Sequence, residues 1–223
     1  MRRSRINQLI AEAKSFFARM HFALPPWAFW GPDEWKGLGQ SEVVRAQLGW
    51  DLTDYGEGDF EKTGLILFTL RNGNPKQNLA KPYAEKIMIV SENQVCPMHF
   101  HWTKMEDIIN RGGGNLVIEL HGSTRDEAFS PDPVTVMIDG MECTVPAGGL
   151  VTLHPGESIS LTRGMYHAFW GEEGKGMVLV GEVSSVNDDN TDNRFYTELR
   201  RFPAIDEDEP PLHLLVTDYE KYV

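Results

Sequence analysis

From about residue 50 onward, the sequence is divided into short apolar or alternating runs separated by Gly, Asn, Asp and Pro. Each run has the length of a β-strand and each separator favours a turn, so the pattern is typical of an all-β sandwich or barrel. Asp139-Gly140 predicts the clearest hairpin, because this pair tolerates the positive φ angles of a two-residue type I′ turn. Ten strands are expected, at residues 64–71, 84–90, 95–102, 115–121, 134–138, 141–145, 150–153, 158–161, 165–170 and 177–183.

The segment before residue 50 has a helical pattern instead. Apolar residues recur at helical spacing over residues 4–20, which predicts an amphipathic helix with Ser4 in position to cap it. A second helix is expected within residues 33–48, with Pro32 near its start, since proline is favoured at the beginning of a helix.

The length and charge of the chain limit its organisation and its partners. A chain of 223 residues can bury one full-sized core. We expect a single domain, 1–223, in which a helical extension (1–48) packs on a β-barrel core (50–200). The 33 acidic and 21 basic residues give a formal net charge of -12, which repels phosphate backbones, so nucleic acid is not an expected partner.

The cysteines and the hydropathy pattern bear on location. Cys96 and Cys143 are too few for a disulfide framework and fit a reducing compartment, so the cytoplasm is expected. No run approaches the roughly 20 apolar residues of a membrane span, so no membrane association is expected.

The segment from Cys96 to Glu106 carries the strongest chemical signal. Side chains alternate between the two faces of a strand, so His99 and His101 are predicted to point in the same direction. Glu106 follows past the predicted strand end, where a turn would return its carboxylate to the same point. Two imidazoles and a carboxylate are a common ligand set for a divalent metal.

His167 is the best candidate for a fourth ligand, because it lies on a later aromatic strand just after a glycine turn. The other four histidines, His21, His121, His154 and His213, fall at helix exits, turns or strand ends. We interpret those four as structural.

The spacing of His99, His101, Glu106 and Gly113 resembles the first motif of the cupin superfamily, and Gly164-x2-His167 resembles its second. Thr162 stands where cupins usually have proline. Segments 97–114, 155–159 and 182–195, together with the N-terminal helical extension, are similar over nearly the whole length to the D-lyxose ketol-isomerase family.

This resemblance implies a cupin double-stranded β-barrel, or jelly roll, that interconverts aldoses and ketoses such as D-lyxose with D-xylulose and D-mannose with D-fructose. It also implies a divalent metal, in this family usually Mn²⁺, with Zn, Fe or Co as alternatives. Cupin barrels often pair through sheet edges or N-terminal elements, so a homodimer is expected.

Isomerisation moves a hydrogen between C1 and C2, which requires a base and a group that binds the sugar oxygens. Glu182 is the candidate base, because a carboxylate inside an apolar strand favours proton uptake when it faces the barrel. Lys86 is the candidate cation beside the sugar oxygens. The alternative interpretation of Lys86 is an edge-strand charge that discourages aggregation.

Three further residues are candidates for sugar binding. Asp189 and Arg194 belong to a polar cluster after the last predicted strand, which is either an ordinary turn or a loop at the barrel mouth. Phe169 shares the strand face of His167 and is either a core residue or a stacking surface for the sugar. Two other functions stay open on the sequence alone: an iron-dependent cupin dioxygenase and a non-enzymatic sugar-binding cupin.

Overall fold

The computed structural model describes residues 1–74, 76, 79–186 and 188–223. Asn187, in the family-like segment 182–195, lies outside them. The described elements are three α-helices, α1 (Arg3–Arg19), α2 (Glu42–Arg45) and α3 (Tyr219–Tyr222), and thirteen strands: β1 (Gly49–Thr53), β2 (Leu65–Arg71), β3 (Tyr83–Val90), β4 (Cys96–Phe100), β5 (Glu106–Gly113), β6 (Leu116–His121), β7 (Val134–Ile138), β8 (Met141–Val145), β9 (Gly149–Leu153), β10 (Ser158–Leu161), β11 (Tyr166–Gly171), β12 (Val178–Ser185) and β13 (Arg194–Phe195).

These strands form two antiparallel sheets. One has the order β1-β2-β3-β12-β5-β10-β7-β8 and the other β13-β4-β11-β6-β9. Apolar side chains of both sheets, among them Met88 and Val180 from the larger and Ile118 and Leu153 from the smaller, form one buried cluster between them. The prediction of a mainly β chain with two packed sheets is confirmed.

The predicted N-terminal helix is confirmed as α1, and its apolar stripe packs on the outer face of the larger sheet. Ile6, Ile10 and Phe17 lie in a second buried cluster with strand residues such as Phe68. The prediction that Ser4 caps the helix was wrong: the N-cap is Arg2, which makes no side-chain capping bond. Ser4 lies inside the first turn of the helix, and both its N–H and its hydroxyl donate to Asp208.

The second predicted helix, within 33–48, was wrong for most of its length, because only the four residues of α2 are α-helical. Gly37 has a φ of +79°, which interrupts a right-handed helix. Ser41 then caps α2 by accepting a hydrogen bond from the Val44 N–H at 3.4 Å. None of the described helices has both the length and the apolar character of a membrane span.

The strand predictions succeed where the buried residues are apolar. The hairpin β7–β8 turns at Asp139-Gly140, whose φ angles of +48° and +79° match the predicted type I′ turn. β1, β5 and the two-residue β13 were not predicted. The buried positions of β5 include the polar residues Glu106 and Asn110, so the usual apolar alternation is missing. Glu106 therefore opens a strand instead of lying in a turn.

Candidate metal centre

Three histidines meet in the space between the two sheets. His99 lies on β4 and His167 lies opposite it on the neighbouring strand β11, while His101 immediately follows β4. One ligand nitrogen of each ring lies within 4.8 Å of the other two. All three side chains are buried. Among the residues that the structure describes, no other group of three or more His, Cys, Asp or Glu side chains is arranged to hold a metal.

Backbone carbonyl groups fix the orientation of all three rings. The Nδ1 atoms of His99, His101 and His167 lie 2.7, 2.7 and 3.0 Å from the carbonyl oxygens of Pro97, Asp192 and Met165, respectively. A carbonyl oxygen can only accept, so each Nδ1 carries the proton. Each ring therefore directs its Nε2 toward the meeting point, as metal-binding histidines commonly do.

The Glu106 carboxylate completes this set. Its Oε1 lies 3.3 Å from His101 Nε2 and 3.2 Å from His167 Nε2, yet it is buried with no hydrogen-bond partner in the described part of the chain. Burial opposes ionisation of Glu106, but the ammonium of Lys104, the charge of His101 and hydrogen bonds from the His101 and His167 rings together hold the pKa of this carboxyl well below its usual range. A charged carboxylate oxygen and two imidazole nitrogens therefore converge on one point, where positive charge is favoured.

This arrangement fits a divalent cation. A buried carboxylate oxygen without a hydrogen-bond partner is costly, and a cation at the meeting point would satisfy Glu106 Oε1 and the imidazole nitrogens together. Burial and the neighbouring rings of His167 and His101 also lower the pKa of His99 well below its usual value. That ring therefore stays neutral and available as a ligand at physiological pH.

Next to this centre, acidic and basic side chains alternate along the cavity wall. Lys104 Nζ lies 2.6 Å from Glu106 Oε2 and 2.9 Å from Glu182 Oε1. Lys86 Nζ lies 3.7 Å from the same Glu182 oxygen and 3.3 Å from Asp189. The structure thus brings the two predicted catalytic residues, Glu182 and Lys86, together in the cavity that contains the histidines.

Sequence reasoning missed two cations in this network. Lys104 stands two residues before Glu106, and that proximity was an available signal. Arg201 follows the last long strand by sixteen residues and has no local signal. Its Nη2 lies 2.6 Å from Asp51 and 3.4 Å from Asp189, whereas its buried Nη1 has no hydrogen-bond partner among the described residues. Arg201 also lines the cavity.

The remaining predicted sugar-binding residues separate into two groups. Asp189 and Phe169 line the cavity. Arg194 does not line it; its Nε donates to Glu127 at 2.6 Å, and its side chain is 34% exposed. His121, interpreted as structural, bonds to Glu119 and stacks on Phe129 at 3.9 Å, away from the other rings.

Comparison with known proteins shows the family of the chain. The sequence matches the D-lyxose isomerase family over residues 1–219. It is 52% identical to a D-lyxose/D-mannose isomerase from Serratia proteamaculans over 227 residues, covering all of both chains. A D-lyxose/D-mannose isomerase from Escherichia coli O157:H7 is 49% identical over 226 residues, again covering all of both chains.

Solved structures show the same fold. The L-ribose isomerase of Cellulomonas parahominis with L-psicose superposes with a TM-score of 0.61 at 18% identity, over 92% of this chain and 98% of that one. The L-ribose isomerase of Acinetobacter sp. DL28 in complex with L-ribose gives a TM-score of 0.61 at 14% identity, over 92% of this chain and 98% of that one. These likenesses confirm the predicted cupin-type β-barrel with its N-terminal helix. With a family match over 219 of its 223 residues, the chain belongs to the D-lyxose isomerase family and is an aldose–ketose isomerase.

Proposed function

We propose that the protein interconverts D-lyxose with D-xylulose and D-mannose with D-fructose, using a divalent metal held by His99, His101, Glu106 and His167. The observation that carries the proposal is the buried, unpartnered Glu106 Oε1 facing two imidazole nitrogens. The names of the two full-length relatives, both D-lyxose/D-mannose isomerases, support the choice of sugars.

The ligand set favours an octahedral cation. Three imidazoles and one carboxylate fill four of six positions, which leaves two for adjacent oxygens of the sugar. Tetrahedral zinc with four protein ligands would have no open position. We therefore propose Mn²⁺, with Fe or Co, or Zn at higher coordination, as alternatives that the nitrogen and oxygen donors also suit. When bound, the cation polarises the sugar carbonyl and stabilises the enediolate as a Lewis acid.

Glu182 is proposed as the base that takes the proton from C2 of the aldose and returns it to C1 of the ketose. Its Oε1 accepts hydrogen bonds from Lys104 Nζ at 2.9 Å and Ser184 Oγ at 3.1 Å, which hold the carboxylate in one orientation. A carboxylate held in one orientation is a more effective base than a mobile one, because the reacting atoms must approach to about 3 Å.

Lys86 and Arg201 are proposed to hold the sugar. Lys86 Nζ lies between Glu182 and Asp189 and can donate to a sugar oxygen near the base. Arg201 offers its unused Nη1, whose burial without an acceptor costs about 1–3 kcal/mol until a hydroxyl oxygen satisfies it. Asp51 and Asp189 already balance the charge of Arg201, so this subsite suits a neutral sugar. Phe169 supplies an apolar wall.

We also propose that the protein is a cytoplasmic homodimer. Cys96 and Cys143 are both free thiols, as expected in a reducing compartment. Light scattering after size-exclusion chromatography tests the oligomeric state, with twice the chain mass of 25.2 kDa as the expected result.

The direct test of the activity is incubation of Mn²⁺-loaded protein with a panel of aldopentoses and aldohexoses, followed by ketose detection. D-lyxose and D-mannose are expected to give D-xylulose and D-fructose. Glu182→Gln keeps the shape of the side chain and is expected to bind sugar while losing turnover. Absence of ketose from every aldose in the panel would refute the proposal.

A further inference from the structure

Residues 188–193, here called the strap, lie between β12 and β13 and belong to neither sheet. The strap is folded on itself, because the Asp192 N–H donates to the Asp188 carbonyl at 3.0 Å and Asn193 Nδ2 donates to the Asp189 carbonyl at 2.9 Å. Asp189 and Asn193 line the cavity that contains the metal ligands. The strap is therefore a separate piece of backbone that forms part of the cavity wall.

Asp192 joins the strap to the turn that carries a metal ligand. Its backbone oxygen accepts the Nδ1–H of His101 at 2.7 Å. Its carboxylate accepts three more hydrogen bonds, from the Thr103 N–H at 2.9 Å, the Thr103 hydroxyl at 2.7 Å and the Lys104 N–H at 2.9 Å. Asp192 is 6% exposed, so water does not compete well for these bonds. One residue thus orients His101 and fixes the strap against residues 103 and 104.

The cavity behind the strap is too small for its proposed substrate. Its volume is about 40 Å³, which is room for about three water molecules at 10–15 Å³ each. A pentose has ten non-hydrogen atoms, so movement of part of the wall would give a sugar more room. The strap is a part of the described wall that lies outside both sheets, and loops without ladder hydrogen bonds open at lower cost than sheets.

We propose that Asp192 is a positioning residue that couples metal binding to closure of the strap over the sugar. This inference rests on the proposed metal at His99, His101, Glu106 and His167. When the strap is closed, Asp192 holds His101 with its Nε2 toward the metal. When the strap is open, His101 loses its Nδ1 partner and its fixed orientation.

Coupling of this kind is reciprocal: if closure favours metal binding by some factor, metal binding favours closure by the same factor. Partners of metal-bound histidines typically contribute about 10–100-fold to metal affinity. Asp192→Ala keeps the carbonyl oxygen that His101 contacts but removes the three side-chain bonds that hold it in place, so we expect it to weaken Mn²⁺ binding about tenfold, the lower end of that range. Asp192→Asn, which retains one acceptor oxygen but places a donor amide near two N–H groups, is expected to fall between Asp192→Ala and wild type.

Asp188→Ala is the matched control. Asp188 lies in the same strap, but its carboxylate pairs with Lys76 at 2.9 Å on the protein surface and makes no contact with the ligand turn. Mn²⁺ titration calorimetry on chelator-stripped full-length protein is expected to give Asp188→Ala the affinity of wild type. Circular dichroism spectra of the metal-free variants verify that each one is folded.

Hydrogen exchange gives a second measurement that does not depend on activity. In the wild type, Mn²⁺ is expected to slow amide exchange at residues 103, 104 and 188–193 together. In Asp192→Ala the ligand turn is expected to respond to Mn²⁺ while the strap exchanges at the same rate with and without the metal.

The outcomes are distinct. If Asp192→Ala and Asp192→Asn bind Mn²⁺ within twofold of wild type, or if Mn²⁺ slows strap exchange equally in wild type and Asp192→Ala, the coupling is overturned while the proposed function stands. If wild-type protein binds no Mn²⁺, the proposed metal site and the coupling are both overturned.

Discussion

The molecule contains two buried clusters of charged side chains, and their hydrogen bonds are completed in different ways. In the first, Arg3 is fully buried and makes paired hydrogen bonds of 2.8–2.9 Å to both Glu207 and Asp218. Burial disfavours the charged guanidinium, but the hydrogen bonds to Glu207 and Asp218 outweigh it and raise the pKa of Arg3 above its usual value. In the second cluster, Glu106 Oε1 has no partner and faces the lone pairs of His101 and His167.

The difference separates structural charges from functional ones. The Arg3 cluster attaches α1 to the acidic segment near the C-terminus, and its bonds are satisfied inside the chain. In the Glu106 cluster, Lys104 pairs with one carboxylate oxygen, but the other has no hydrogen-bond partner among the described residues, which favours a ligand that supplies positive charge there. Burial and charge are common to both clusters, so the decisive feature is the incomplete hydrogen bonding of the second.

The largest expected effect comes from removing a ligand of the second cluster. His167→Ala is expected to lose stoichiometric metal and, because Lewis-acid stabilisation contributes several kcal/mol, to lower turnover about a thousandfold or more. Metal analysis after gel filtration and a ketose assay measure both. His121→Ala, which changes a histidine stacked on Phe129, is the control and should keep metal and activity. Near-stoichiometric metal in His167→Ala would contradict the ligand assignment.

The first cluster is expected to affect stability alone. Arg3→Met leaves Asp218 buried without its cation, and breaking such a pair costs about 3–5 kcal/mol in the free energy of unfolding. Urea unfolding of metal-free protein measures this loss, with the exposed Arg2→Met as its control. Mn²⁺ affinity should be unchanged in the folded Arg3→Met protein. A parallel loss of metal affinity would show that the two clusters are not separate.

The second cluster is expected to affect both metal affinity and stability. In Glu106→Gln, the charge that Lys104 stabilises is lost while the amide keeps hydrogen-bonding capacity, so the metal-free protein should lose about 1–3 kcal/mol of stability. Metal binding should weaken, because a charged ligand is lost. Urea unfolding and Mn²⁺ titration measure the two effects. Unchanged Mn²⁺ affinity in this variant would contradict the assignment of Glu106 as a ligand.

The smallest expected effect is on the pH dependence of stability in metal-free protein, which should differ between the two clusters. Burial and the neighbouring histidines lower the pKa of His99 below its usual 6.5, so the unfolded chain binds a proton there that the folded chain does not. The free energy of unfolding is therefore highest above pH 6.5 as far as His99 is concerned, and it decreases as the pH falls below that value.

Glu207 follows the same sign at lower pH. A hydrogen bond from Arg3 lowers the pKa of Glu207 below its usual 4.5, so its contribution is lost only as the pH falls below that value. Unfolding measured from pH 8 to pH 4 should show a decline below pH 6.5 that His99→Leu reduces and Arg3→Met retains. Equal slopes in wild type and His99→Leu would contradict this assignment.

The sequence alone was sufficient to predict the parts of the fold and of the site that depend on local periodicity. Helix α1, the β7–β8 hairpin and the alternation that places His99 and His101 on one side follow from spacings of a few residues. Strand β5 was missed because polar side chains occupy its buried face, which is the functional face. The second helix was predicted wrongly because a weak apolar stripe was given more weight than Gly37.

The parts that could not be predicted depend on contacts between distant segments. Arg201 reaches the cavity through Asp51, 150 residues earlier in the chain. Asp192 reaches His101 across 91 residues. Neither residue has a spacing that marks it, and both were recognisable only from their buried hydrogen bonds.

The measurement that tests the central claim most directly is a Mn²⁺ titration of chelator-stripped wild-type protein in which bound metal, melting temperature and D-lyxose turnover are followed together. One metal ion per chain is expected, with a rise in melting temperature and the appearance of D-xylulose that both saturate at that ratio. Full turnover in the stripped protein, or metal binding that leaves the melting temperature unchanged, would contradict the proposal that Glu106 is a ligand of the metal.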